Sequence, residues 1–316
     1  MRRPLRVPAP DLPARVTIYE VGPRDGLQNE ATTVPTDVKA EFIARLVACG
    51  LAEVETTSFV RPERVPQLAD AEALLARVDR APGVRYPVLV PNARGLDRAL
   101  AAGVTDIAVF ASATETFARR NLNRGLDEQW AMFAPVVARA QAAGVRVRGY
   151  LSMCFGDPWE TEVPITQVVE GGLRLLELGC DELAIGDTIG VGTAGHVTAL
   201  LDALAARGVM AGQLAVHFHD TYGQALANTV AALRWGVTTV DASAGGLGGC
   251  PYADSATGNL ATEDLVWLLD GLGVEAGVDL DALVATSVWM ADRLGRPSPS
   301  RVVRALGGDP ATHAGT

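Results

Sequence analysis

Short β-rich runs alternate with amphipathic helical stretches along most of this chain. The runs are VTIYEVG (16–22), EVETTSF (53–59), YPVLVP (86–91), DIAVFAS (106–112), VRVRGYLS (145–152), ELAIGDT (182–188), LAVHFHD (214–220) and TTVDASA (238–244). Seven of the intervals hold apolar residues at three- and four-residue steps, as in DEQWAMFAPVVARAQAAG (127–144) and GQALANTVAALRWG (223–236), ending at glycine. Such alternation implies a parallel sheet covered by helices, and eight units closing on themselves make an α/β (β/α)8 TIM barrel. An open doubly wound sheet would normally place Gly-x-Gly-x-x-Gly after its first strand. That position reads GPRDGLQ here, and no P-loop motif occurs. ATEDLVWLLDGLG and DLDALVATSVWMADRLG add C-terminal helices outside the barrel, and GGDPATHAGT reads as a disordered tail. No stretch reads as a linker. One domain is therefore expected over 1–316, with the barrel at about 16–260, helices at about 261–306 and the tail at 307–316.

Composition narrows the function. A formal charge of −10 without any Lys/Arg block argues against nucleic acid and against an anionic membrane surface. Four irregularly spaced cysteines fit a reducing compartment, with neither a disulfide framework nor a Cys-x-x-Cys zinc site. No apolar run reaches transmembrane length, and MRRPLRVPAPDLPAR lacks a signal-peptide core, so a cytoplasmic protein is expected. Lys39 is the single lysine, and its segment TDVKAEFIARLVACG reads as an amphipathic helix with Lys39 beside Glu41 on a polar face. Schiff-base chemistry needs a desolvated amine, which makes a lysine-dependent aldolase a poor reading.

The polar residues collect where such a barrel keeps its chemistry, at the C-terminal ends of strands. The first run holds Glu20 near its end and leads into Arg24 and Asp25, and Glu55 lies in the second with Ser58 near its end. Arg148 and Tyr150 lie in the fifth, Asp187 ends the sixth, and His217 and His219 end the seventh. Residues two apart on a strand share a face, so both imidazoles can face the barrel axis. With Asp25 and Asn259 nearby, they form a mixed nitrogen and oxygen donor set suited to six-coordinate Mg²⁺ or Mn²⁺. Hydrogen-bonded core histidines are the plain alternative. For GPRDG the alternative is a β-turn carrying an exposed ion pair. Glu55 and Asp187 interrupt apolar strands, and a structural salt bridge with Arg24 or Arg148 would also explain them. Cys250 follows GGLGG, a segment too glycine-rich to pack as a helix or strand interior, and so reads as a thiol delivered by a loop. Cys49 and Cys180 look like packing residues, whereas Cys154 is ambiguous.

EVGPRDGLQNE (20–30), VETTSF (54–59), RGY (148–150), GDTIGVGT (186–193), AVHFHDTYGQALANT (215–229) and GGLGGCPYADSATGNLATEDLV (245–266) resemble 3-hydroxy-3-methylglutaryl-CoA lyases, in register from about Val16 to Leu294. The resemblance implies cleavage of an acyl-CoA substrate, 3-hydroxy-3-methylglutaryl-CoA, to acetyl-CoA and acetoacetate. It implies a divalent cation on Asp25, His217, His219 and Asn259, and Asp25 or His217 as the base. Arg24 would stabilise the enolate oxygen and Cys250 would protonate the enolate carbon. Glu55 and Asp187 would support the catalytic cluster, while Gln28, Ser58, Asn121, Arg148 and Tyr150 would line the pocket. Arg119 and Arg120 are either partners of CoA phosphates or solvated loop charges. A homodimer is also implied. The chain departs from the family at SMCFGDPWE (152–160), where well-known members carry Cys-Pro-Tyr-Glu. That loop is expected to face the pocket, which keeps a related 3-hydroxyacyl-CoA open as substrate, citramalyl-CoA or a 3-hydroxy-3-alkylglutaryl-CoA. A Claisen-condensing acyltransferase would need an appended region for which no residues remain. An inactive binding barrel would have no use for the metal donors, Arg24 and Cys250 together.

Overall fold

The computed structural model describes residues 2–249 and 258–308. One parallel sheet holds β1 (Thr17–Glu20), β2 (Glu53–Val54), β3 (Thr57–Ser58), β4 (Val88–Leu89), β5 (Asp106–Ser112), β6 (Arg146–Ser152), β7 (Glu182–Asp187), β8 (Leu214–Phe218) and β9 (Thr239–Ala242). Its order is β2-β1-β9-β8-β7-β6-β5-β4-β3. The two ends, β2 and β3, are halves of one run, so the sheet closes into a TIM barrel of eight positions. The expected second strand is thus broken at Glu55 and Thr56. Its hydrogen bonds nevertheless continue to both neighbours, from Glu55 N–H to the Glu20 carbonyl and from Thr56 N–H to the Pro87 carbonyl. Pro87 has no N–H to return, which limits the pairing of β3 with β4 to two residues each.

The helices α1 (Thr36–Ala48), α2 (Ala71–Leu75), α3 (Ala93–Ala101), α4 (Glu115–Leu122), α5 (Leu126–Ala142), α6 (Ile165–Leu178), α7 (Ala194–Ala205) and α8 (Ala225–Trp235) alternate with the strands. After β9 come α9 (Thr262–Leu272), α10 (Leu280–Leu294) and α11 (Arg301–Leu306), the extra C-terminal helices. Glycine stops appear as expected: α6 and α8 end at Gly179 and Gly236, whose φ values of 104° and 114° are left-handed. The main core lies between sheet and helices, where Phe42, Leu46, Phe133, Leu175 and Leu265 are fully enclosed. Burying each such side chain contributes about 1.5–3 kcal/mol. Inside the barrel a second cluster joins Tyr19 and Tyr150 to Ala108, Ala184 and Ala215. The small alanines leave room for the aromatic rings and for buried charge.

Two sequence expectations change here. Lys39 is not on a solvent-facing side of α1. It is 2% exposed, and its ammonium donates to Asp70 and to the Gln67 carbonyl, because the turn before α2 packs against α1. Cys154 is a packing residue like Cys49 and Cys180: all three are buried, and its S–H donates to the Leu151 carbonyl. Burial pushes the Cys180 thiol up to about 12, leaving it inert at neutral pH. Among the described residues, no helix is long and apolar enough to cross a membrane.

Candidate active site and metal centre

GPRDG folds as a single turn of π-helix, Gly22–Gly26, not as an exposed β-turn. The N–H groups of Arg24, Asp25 and Gly26 all converge on the Val21 carbonyl. Close approach explains the flanking glycines. A Cβ at Gly22 would lie 2.6 Å from a Glu20 carboxylate oxygen, and one at Gly26 would lie 2.8 Å from Leu247 Cβ. The turn is pressed against the loop after β9, and the side chains of Arg24 and Asp25 are 7% and 19% exposed. Arg24 Nη1 donates to Asp25 Oδ1 at 2.7 Å, and its Nε donates to Glu55 Oε2 at 2.7 Å. The guanidinium also lies 5.5 Å from the Tyr150 ring centre. Glu55 has no exposed surface and additionally accepts from the Tyr150 hydroxyl at 3.3 Å. The structural salt bridge expected as the alternative for Glu55 is therefore present, with Arg24 as its partner.

His217 shares the inward face of β8 with Ala215, and His219 follows the strand. Their Nε2 atoms lie 3.2 Å apart. Ligand atoms of Asp25, His217 and His219 all fall within 4.8 Å of one another. Asn259 bridges to His219 through backbone pairing. Its Nδ2 donates to Asp25 Oδ2 at 2.8 Å and to the Leu247 carbonyl at 3.1 Å. Asn259 Oδ1 is buried without a hydrogen-bond partner among the described residues. An unsatisfied buried oxygen is costly, and a cation beside the imidazoles and carboxylate would satisfy it. The residues fit a hard divalent ion. Burial works against the charged form of Asp25, but the positive charges of Arg24, His217 and His219 outweigh it and hold the carboxyl down at about 2. Burial and repulsion from His217 lower His219 to about 4, so it presents a neutral imidazole at physiological pH.

Other expected residues land differently. Asp187 pairs with neither Arg24 nor Arg148; it accepts the backbone N–H groups of Val191 and Gly192, each at 2.9 Å, and so shapes the turn after β7. Burial raises Asp187 to about 6 despite those donors. Arg148 lies on the barrel floor, its guanidinium carbon 3.8 Å from the Tyr19 ring centre and 4.9 Å from that of Tyr150. It is ion-paired to Asp241. Ser58 is buried, its hydroxyl accepting the Val60 N–H, Gln28 is half-buried, and Asn121 is exposed on α4. No hydrogen bond among the described residues draws Gln28 or Asn121 into the cluster. Cys250 lies outside the described residues. Arg119 pairs with Glu115, and Arg120 lies over the Trp159 ring at 4.3 Å.

Sequence reasoning missed two buried acids beside the site, Asp241 and Glu263, and gave a third, Glu20, no partner. Asp241 accepts from Arg148 and lies 3.0 Å from His217 Nδ1. Glu20 reads in the sequence only as a strand-end acid. It accepts from the N–H groups of Gly22 and Ala244 and from the Thr262 hydroxyl, while Glu263 accepts from Gly245 N–H and the Ser287 hydroxyl. Together they clamp the turn at 244–246 that opens the loop after β9. Burial pushes Glu20 up to about 7 and Glu263 up to about 8. The signal that marked Glu55, an acid inside an apolar run, was equally present at Asp241.

The HMGL-like family model matches residues 15–289, most of the chain. The chain belongs to the HMGL-like family. It is 50% identical over 296 residues to a cytoplasmic 3-hydroxy-3-methylglutaryl-CoA lyase of Danio rerio, covering 94% of this chain and 88% of that protein. Among solved structures, the hydroxymethylglutaryl-CoA lyase of Pseudomonas aeruginosa superposes with a TM-score of 0.91 at 46% identity, covering 94% of this chain and 98% of that one. An HMG-CoA lyase of Acinetobacter baumannii in complex with coenzyme A and 3-methylmalate gives 0.89 at 33% identity, covering 95% and 97%.

The departing loop of this family member has a defined internal role. Asp157 is 2% exposed, accepts the Thr114 hydroxyl at 2.6 Å, and accepts the N–H groups of Trp159 and Glu160. Glu160 in turn accepts the Thr116 N–H at 2.6 Å. Asp157 and Trp159 thus tie the loop after β6 to α4, the aspartate through Thr114 and the indole through Arg120. The Asp157 carboxylate is committed to that scaffold.

Proposed function

We propose that this chain is a divalent-metal-dependent carbon–carbon lyase that cleaves 3-hydroxy-3-methylglutaryl-CoA to acetyl-CoA and acetoacetate. The observation that carries the reading is the convergence of Asp25, His217 and His219 beside the unsatisfied Asn259 oxygen. A divalent ion held by these four residues would supply Lewis acidity, lowering the pKa of the substrate hydroxyl. The C3 hydroxyl loses its proton to Asp25 or His217, and the C3 oxygen becomes the ketone of acetoacetate as the C2–C3 bond breaks. The bonding pair moves to C2 as the enolate of the thioester. Arg24, held by Glu55 on one side and Asp25 on the other, is the fixed cation for the enolate oxygen. The proton that completes acetyl-CoA at C2 is assigned to the Cys250 thiol on the family resemblance. Asp187 supports the site through its turn, and Gln28, Ser58, Asn121, Arg148 and Tyr150 are the remaining candidates for the pocket wall.

Purified protein given 3-hydroxy-3-methylglutaryl-CoA with Mg²⁺ or Mn²⁺ should release acetoacetate, and metal stripping should stop it. Undiminished turnover after stripping would sink the metal assignment. The second reading, a neighbouring 3-hydroxyacyl-CoA, draws on the Asp157–Trp159 loop, and a panel of citramalyl- and 3-hydroxy-3-alkylglutaryl-CoA substrates separates the two. We read the barrel and its C-terminal helices as one catalytic domain that pairs as a homodimer, which light scattering would check. We place it in the cytoplasm with the Danio rerio relative; other relatives are mitochondrial.

A further inference from the structure

We infer that Asp241 is a positioning residue that selects the tautomer of His217, and that Arg148 selects which way Asp241 can act. The inference rests on the proposed metal site and deepens it. Parallel pairing places Asp241 beside His217 on β8 and beside Tyr19 on β1, all on the inward face. Its Oδ2 lies 3.0 Å from His217 Nδ1, and its Oδ1 takes a hydrogen bond from Arg148 Nη2. Arg148 is confined by the Tyr19 ring at 3.8 Å and the Tyr150 ring at 4.9 Å, and its Nη1 lies 3.6 Å from Glu182. Both partners are sequestered, Asp241 at 2% exposure and Arg148 at 4%.

An ionised aspartate only accepts, so the neutral His217 ring must carry its hydrogen on Nδ1, leaving the Nε2 lone pair facing His219 Nε2. That lone pair is required whether His217 acts as a metal ligand or as a proton acceptor. Arg148 only donates. An asparagine at position 241 would therefore turn its oxygen to Arg148 and its NH₂ to His217 Nδ1. The hydrogen of the imidazole would then move to Nε2, the atom that has to bind metal. An isosteric change thus inverts the tautomer without opening a cavity.

The test uses the metal-free protein first. With four histidines in the chain, long-range ¹H–¹⁵N spectra at alkaline pH, assigned with His217→Ala, read the His217 tautomer directly. Wild type should carry Nδ1–H and Asp241→Asn should carry Nε2–H. Mn²⁺ titration by calorimetry should then show a loss of about 10–100-fold in affinity in Asp241→Asn, with thermal unfolding showing the variant folded. An Nε2–H tautomer in wild type overturns the inference, with no variant needed. So does an Asp241→Asn protein that keeps Nδ1–H, or one that binds Mn²⁺ as tightly as wild type does. Wild type that binds no Mn²⁺ at all would instead remove the metal reading, while the tautomer measurement would still decide the role of Asp241.

Discussion

Replacing Glu263 with glutamine should abolish a specific loss of stability between pH 7 and pH 8. The folded-state carboxyl sits at about 8, against its ordinary 4.5, because burial disfavours its charge more than Ser287 and Gly245 can repay through hydrogen bonds. A folded pKa raised above the unfolded one means the native state keeps a proton that the unfolded chain has released. The resulting stability is fully present below the unfolded value and is lost as pH rises toward the folded value. The slope is about 1.4 kcal/mol per pH unit for each such group. Asp187 and Glu20 behave in the same sense, but reach their folded values at about 6 and about 7. Asp25, lowered to about 2, contributes with the opposite sign, and its contribution is complete well below pH 7. Of these acids, Glu263 should carry most of the slope that remains from pH 7 to pH 8, with a smaller share from Glu20. Wild type should therefore lose about 1 kcal/mol there from this residue, less than a full unit of slope because the folded carboxyl is itself half ionised by pH 8. Glu263→Gln should lose none of it, because the amide oxygen can accept from Gly245 N–H and the amide N–H can donate to Ser287. Urea unfolding with linear extrapolation at closely spaced pH values reads the difference. Equal slopes in wild type and variant would refute the claim that the turn at 244–246 is held by a protonated acid.

Arg24→Met strands Glu55, which has no exposed surface, without its cation. Breaking such a pair costs about 3–5 kcal/mol, and the loss should shrink in acid as Glu55 takes up a proton, while lyase turnover collapses at every pH. Gly26→Ala drives a methyl against Leu247 and should destabilise by about 1–3 kcal/mol; calorimetric melting and Mn²⁺ affinity should fall together, since the same displacement separates Asp25 from Asn259. Cys250→Ala should lose most of the rate in acetoacetate release yet bind Mn²⁺ normally, and parallel loss of both would make the thiol a ligand or a structural group.

The barrel was legible in the sequence because its signals are local. Alternating β-rich and helical runs, and glycines at Gly179 and Gly236 that can adopt a left-handed backbone, report on a few residues at a time. His217 and His219 were legible for the same reason, two residues apart on one strand. The break at Glu55 and Thr56 was not, although its cause, Pro87, stands in plain view on another strand. What only the tertiary structure decided is partnership. Asp241 is an ordinary acid in TTVDASA until the register of β8, β9 and β1 sets it between His217, Arg148 and Tyr19. Glu20 and Glu263 are 243 positions apart in sequence and meet at one turn. Lys39 reads as a surface cation until the turn before α2 brings Asp70 to it. Sequence spacing fixes which side chains share a face, whereas burial and hydrogen-bond partners depend on which strands lie side by side, and that is settled only when the sheet closes.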